Sequence, residues 1–218
     1  MTTRKKWMGA FVALTALAVA GTTFSRPISY AGGHMLMAEH QSDMDQWSYT
    51  YSPSFRWSGS VGELRLDEEG RRSELTLRYV RASRLLKRWN LPAAQANVFA
   101  WGGLGQADVR NGPTGTARHV GFQADYETRR IYTSFVSELH EGTGGSRRFD
   151  TASVGWAPYK HDINRMATWL VLKGMRTSDA NDDPTKGAAM LRLFTPRWWL
   201  EAGVDTDGRP LANAMINF

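Results

Sequence analysis

Between Gly32 and Met44 the chain gathers two histidines (His34, His40), three methionines (Met35, Met37, Met44) and two acidic residues (Glu39, Asp43). Thioether sulfur and imidazole are ligands that suit copper or silver ions. A chain without cysteine has no thiolate to offer instead. This stretch is therefore a candidate metal-binding segment, with His34, Met35, Met37, His40 and Met44 as its donors. The plainer alternative makes Met35 and Met37 lipid-facing strand residues and leaves His40 and Met44 as loop residues. A second grouping, His119, Asp125, Glu138 and His140, is spaced to converge across neighbouring strands. Its residue types are those of general acid–base chemistry. No nucleophile motif accompanies it. His140 is followed by Glu141 without the second histidine that a helix-borne zinc motif requires.

These residues sit on a pattern of short alternating segments. In 74–79, Leu75, Leu77 and Tyr79 alternate with Glu74, Thr76 and Arg78. In 119–127, Val120, Phe122, Ala124 and Tyr126 alternate with His119, Gly121, Gln123, Asp125 and Glu127. The last segment, 212–218, alternates Ala212, Ala214, Ile216 and Phe218 with Asn213, Met215 and Asn217. A period of two puts each set on one face of a strand. Read this way, the chain holds about twelve strands, near 30–38, 46–51, 55–65, 73–85, 95–106, 117–127, 129–140, 149–158, 166–176, 187–194, 197–205 and 210–218. Short turns at 52–54, 127–129, 160–165 and 195–196 alternate with polar loops at 39–45, 66–72, 107–115, 141–148, 177–186 and 206–209. The segment 86–94 is the exception, a long connection on the short-turn side.

The two ends say where such a sheet belongs. Arg4, Lys5 and Lys6 precede an apolar run at 7–20 that ends Ala18-Val19-Ala20. This is the layout of a cleaved signal peptide. The run falls well short of the roughly 20 residues that a membrane-spanning helix needs. The expected organisation is a leader at 1–20 and a single domain at 21–218. Without those three leader cations, the 27 basic side chains fall to 24 against 21 acidic. That balance is too even to suggest a nucleic-acid partner. At the other end, Phe218 closes an alternating strand, which looks like the terminal signal that outer-membrane assembly machinery recognises. Trp47, Tyr49, Tyr51, Phe55, Trp57, Tyr159, Trp198 and Trp199 lie near strand ends. Placed there, they fit the aromatic girdles of such a barrel.

The expected fold is thus an all-β antiparallel transmembrane barrel in a bacterial outer membrane, or alternatively a soluble periplasmic β-protein. With the apolar sets facing lipid, Arg56, Glu74, Arg78, His119, Asp125, Glu127, Glu138, His140, Arg192, Glu201 and Asp205 line the lumen. Both signs of charge are present, so no ion preference follows. Lys87, Arg88 and Trp89, in the odd connection, are placed to meet a periplasmic partner or lipid headgroups. Arg88-Trp89-Asn90, Pro92, Gln95-Ala96-Asn97, Asp125-Tyr126-Glu127-Thr128 and Leu200-Glu201-Ala202-Gly203-Val204 together resemble an uncharacterised family of proteobacterial outer-membrane β-barrel-like proteins. That resemblance implies the fold and no activity. The function expected is non-enzymatic, a narrow pore or a barrel binding a small solute or metal ion. The alternatives are a lipid-modifying enzyme using His119 and His140, or a soluble binding protein.

Overall fold

A computed structural model of the chain describes residues 26–41, 43–67, 74–160, 165–179 and 183–218; the expected leader lies outside them. The first six strands are β1 (Gly33–Gln41), β2 (Met44–Ser54), β3 (Trp57–Asp67), β4 (Glu74–Leu91), β5 (Ala94–Val109) and β6 (Thr114–Thr128). The other six are β7 (Ile131–Gly142), β8 (Gly145–Trp156), β9 (Ala167–Ser178), β10 (Thr185–Phe194), β11 (Trp198–Asp205) and β12 (Pro210–Asn217). Each pairs antiparallel with its chain neighbours, and β1 pairs with β12, so the sheet closes into a twelve-stranded barrel. Closure leaves no unpaired strand edge. Phe218 sits on that closing seam. Its carbonyl accepts from the His34 amide at 2.9 Å and its amide donates to the His34 carbonyl at 3.0 Å.

The strands match the expected ones in number and order, but several run further than the turn residues suggested. The 86–94 connection is not a long turn: β4 continues to Leu91 and β5 begins at Ala94, leaving Pro92-Ala93 as the turn. The irregularity in its sequence is a bulge, where the register slips between Leu85 and Lys87. Such an extra residue bends its strand and re-aims a side chain, and here Leu86 is turned outward and exposed. The slip splits the Lys87-Arg88-Trp89 group. Arg88 points inward and donates to Asn97 Oδ1 at 2.7 Å, while Lys87 lies 5.8 Å from the Trp89 ring centre near the strand end. The 141–148 loop likewise contracts to Thr143-Gly144. Gly144 and Gly145 take φ of 98° and 103° there. Only glycine adopts such angles readily, and they allow a tight reversal.

Outside, the alternation expected of 119–127 and 212–218 holds. Val120, Phe122, Tyr126, Ile216 and Phe218 face out, and His119, Gln123, Asp125, Glu127, Asn213, Met215 and Asn217 are buried. In 74–79 it is inverted. Leu75, Leu77 and Tyr79 are buried in an inner cluster with Leu64, Leu66 and Ala107, and Arg78 is exposed on the outer face. There Arg78 Nε donates to Glu63 Oε2 at 2.8 Å and Nη1 to Asp108 Oδ2 at 3.0 Å. The reason is height: this part of the barrel lies toward the loop end, where outer charges pair as they do in water and apolar side chains fill the interior. Arg118–Glu141 and Arg148–Asp150 continue that outer charged band.

Three inward glycines make room for large rings. A Cβ on Gly62 would lie 2.7 Å from the Tyr79 hydroxyl, one on Gly121 2.6 Å from Trp101, and one on Gly103 2.3 Å from His119 Cε1 and 2.5 Å from the Val80 carbonyl. Small residues facing large ones let side chains fill a lumen this narrow. Because backbone stands on one side of Gly103, Gly103→Ala is expected to cost about 1–3 kcal/mol by overpacking. Denaturant unfolding of the refolded protein measures this, and an unchanged midpoint would mean that the His119 ring swings freely.

Candidate functional site

The lumen has three levels. At the end where Phe218 lies, residues 26–30 fold into the barrel ahead of β1. Arg26 Nη2 lies 3.1 Å from Asp125 Oδ1 and 3.2 Å from Glu127 Oε1, all three groups being buried. Asp125 also accepts from Asn97 Nδ2 at 2.7 Å and from Gln123 Nε2 at 3.3 Å. Ser58 Oγ donates to the Pro27 carbonyl at 2.6 Å, Ser29 Oγ to Asn217 Oδ1 at 3.0 Å, and Ile28 packs with Leu85, Phe99 and Trp101. Together these contacts make a floor.

Midway up, Glu201 is fully buried and takes three donors: Arg192 Nη2 at 3.1 Å, Lys173 Nζ at 3.0 Å and Asn213 Nδ2 at 3.1 Å. The Arg192 guanidinium lies 5.3 Å from the Tyr132 ring centre and 5.1 Å from that of Trp199. Both approaches are close enough for the ring faces to hold the cation. Trp199 is therefore a lumen residue at 3% exposure rather than part of an outer girdle; Trp198, at 39%, faces out.

Nearer the loops, β6 and β7 place His119 directly opposite His140, with Glu138 two positions back along β7. Directly opposed residues and those two apart on a strand share one face of the sheet, here the inner one. His140 Nε2 is 3.1 Å from Glu138 Oε1, and His119 Nε2 is 3.9 Å from the same oxygen. The two imidazoles stack with centres 5.2 Å apart, and Tyr79 meets His119 edge-on at 4.8 Å. Above them a cavity of about 480 Å³ opens at the loop mouth; below, one of about 180 Å³ reaches the floor at Arg26. Glu39, Gln46, Val136, Glu138 and Thr151 line both, so the two cavities adjoin. At the mouth Asp183 accepts from Arg176 and Ser178, and those hydrogen bonds hold its carboxyl down to about 2.

The residues singled out in the sequence separate accordingly. His119, Glu138 and His140 meet, but Asp125 belongs to the floor and not with them. Asp125, Glu127, Arg192 and Glu201 do line the lumen. Arg78 is on the outer face and Arg56 is exposed in the turn between β2 and β3, so neither lines it; the Glu74 side chain lies outside the described residues. The methionine and histidine donors of the N-terminal segment fall on opposite faces. Met35 and Met37 pack inward rather than toward the outer surface, and Met44 is no loop residue but opens β2 and joins the Leu64 cluster. His34 hydrogen bonds the Tyr49 hydroxyl at 2.6 Å and His40 meets Asp45 at 2.6 Å, both on the outside. Sequence reasoning did not find Arg26, Lys173, Asn97 or Asn213 as site residues. Lys173 shares a face with Val171 and Met175 on a strand apolar on both faces, so periodicity gave no sign of its direction. Nothing near Arg26 marks it as a plug.

No protein-family model matches the chain, and no curated protein matches it either.

Proposed function

We propose that this chain is an outer-membrane barrel whose lumen is a non-enzymatic binding cup, open at the loop mouth and floored by its own N-terminal segment. The observation that carries the reading is the outer surface. On β5 the outward positions from Ala96 to Leu104 hold no charge. At the usual rise of an inclined strand, that stretch covers most of the apolar band of a transmembrane barrel, which is about 25 Å tall. Around the barrel the same zone exposes Leu36, Val61, Val80, Val120, Phe135, Val154, Leu170, Leu172, Leu191, Leu200 and Ile216. So much contiguous apolar surface suits lipid far better than water.

The rims support it. Toward the Phe218 end Tyr51, Phe55, Trp57, Trp89, Trp156 and Trp198 are exposed. Arg84 lies 5.0 Å from the Trp57 ring centre and Arg130 5.9 Å from that of Trp156. Aromatic rings beside snorkelling cations are what a headgroup layer favours. Toward the loops, the belt gives way to the Glu63–Arg78–Asp108 and Arg118–Glu141 pairs. A binding role follows from the lumen: adjoining cavities lined by polar groups of both signs, above the floor that Arg26 helps to make. The histidines face a carboxylate and aromatic rings.

Fractionation of expressing cells tests this. The protein is expected in the outer-membrane fraction, released by detergent only, and to change its gel mobility on boiling. Recovery in the soluble periplasmic fraction would overturn the membrane reading.

A further inference from the structure

We propose that His119, Glu138 and His140 form a binding site for a divalent first-row transition ion, two imidazoles and one carboxylate capping the lumen cavity. This deepens the binding-cup reading and rests on it only for the route by which the ion arrives. Their donor atoms all lie within 4.8 Å of one another. Two donors bound to one zinc at about 2.1 Å stand about 3.4 Å apart in a tetrahedral shell. The His140–Glu138 separation of 3.1 Å already meets that spacing, and the His119–Glu138 separation of 3.9 Å needs only a small shift.

A second observation points the same way. His119 is 4% exposed, and its Nε2, aimed at the cluster, has no hydrogen-bond partner. Buried polar atoms are nearly always satisfied, and one left bare beside a carboxylate and a second imidazole is placed to ligate. The Gly103 gap holds the ring there, since any side chain at that position would occupy the space of Cε1 and Nε2. Tyr79 and Phe149 wall the imidazoles edge-on, fixing the ring planes. Glu138 and His140 line the mouth cavity, so an ion entering from the loops reaches the cluster without unfolding. Arg81 stands nearby over Tyr79 and Trp101. Such a cation would defeat a purely electrostatic trap, but coordinate bonds from imidazole outweigh it. Three protein ligands leave positions open for water or a small solute, so the ion is held exchangeably rather than sealed as in a structural site.

The test uses the full mature barrel folded in detergent, stripped with chelator and titrated calorimetrically with Zn²⁺ alone, with Co²⁺ as a spectroscopic reporter. One equivalent is expected to bind, with a ligand-field absorption for Co²⁺ that marks imidazole coordination. Glu138→Gln and His140→Gln, which keep a polar side chain of similar reach, are each expected to weaken Zn²⁺ binding by about 100-fold or more, beyond the loss seen on removing outer-shell partners. A His34→Ala/His40→Ala double variant is expected to bind as the parent does. Absence of stoichiometric binding by the folded parent, or loss of it in the His34/His40 variant with the lumen variants unaffected, would overturn the site. The boiling-dependent mobility shift, read on the same samples, reports the barrel separately. Failure of the metal site therefore leaves the barrel standing, and failure of the membrane reading leaves the titration valid.

Discussion

Glu201→Ala is expected to destabilise the barrel by about 3–5 kcal/mol, because it removes the one anion shared by two buried cations. The carboxylate is fully buried, with Lys173 Nζ at 3.0 Å and Arg192 Nη2 and Asn213 Nδ2 each at 3.1 Å. Without it Arg192 keeps its contacts with Tyr132 and Trp199, but the lumen holds two like charges where one negative group had balanced them. Glu201→Gln should fall between, since an amide keeps the acceptor for Asn213 but sets its own N–H donors toward the cations. A Lys173→Met change made in the Glu201→Ala background should recover part of the loss, as neighbours sharing a network are not additive. The measurement is denaturant unfolding of the protein refolded into vesicles, followed by tryptophan fluorescence. A Glu201→Ala cost below about 1 kcal/mol, the range of water-exposed pairs, would mean that water fills the middle of the lumen and screens the cations.

That network shows how far the strand pattern could be followed. Twelve strands, their order and the inward direction of Glu201, Arg192, Asp125 and Glu127 are written in period-two alternation, because successive side chains of a barrel strand point in turn to its outer surface and to its interior. Alternation does not say which face is which. In β6 and β12 the apolar set faces out, but in the loop half of β4 it faces in, since that half stands above the apolar belt and is packed like a water-soluble β-protein. Arg78 faces outward, against expectation, for that reason. On β9 both faces are apolar, Leu170 and Leu172 outside and Trp169 and Val171 inside, so Lys173 had no parity to reveal it.

The His119–Glu138–His140 cluster was closer to legible. The two histidines are equidistant from the Arg129-Arg130 turn. A two-residue hairpin makes equidistant residues cross-strand partners. Asp125, grouped with them in the sequence, is instead opposite Ser134, well down the strands toward that turn, and so belongs to another level of the lumen. The N-terminal His/Met stretch fails as a single donor set by the same arithmetic. His34 and His40 differ from each other by an even number of positions, and from Met35 and Met37 by odd ones, so a strand must divide them.

Arg26→Ala is expected to do two things that a decorative surface arginine could not. It leaves Asp125 and Glu127, which share one face of β6, without the cation that lies between them. Uncovering buried charge in this way costs about 3 kcal/mol or more. The substitution also unlatches residues 26–30. Ile28 and the Ser58 and Ser29 hydrogen bonds remain, but they hold a segment whose charged anchor is gone, and thermal motion then clears the terminus end of the lumen. In planar bilayers the parent should show little conductance and Arg26→Ala a larger, cation-selective one, because the carboxylates it uncovers would line the end it opens. Adding Glu127→Gln to Arg26→Ala separates the two effects: relieving the repulsion should restore much of the stability while leaving the floor open. If Arg26→Ala proves unstable but conducts no better than the parent, the segment is a fixed part of the wall, and the lumen is a closed cup whose only exchange with solvent is through the loop mouth.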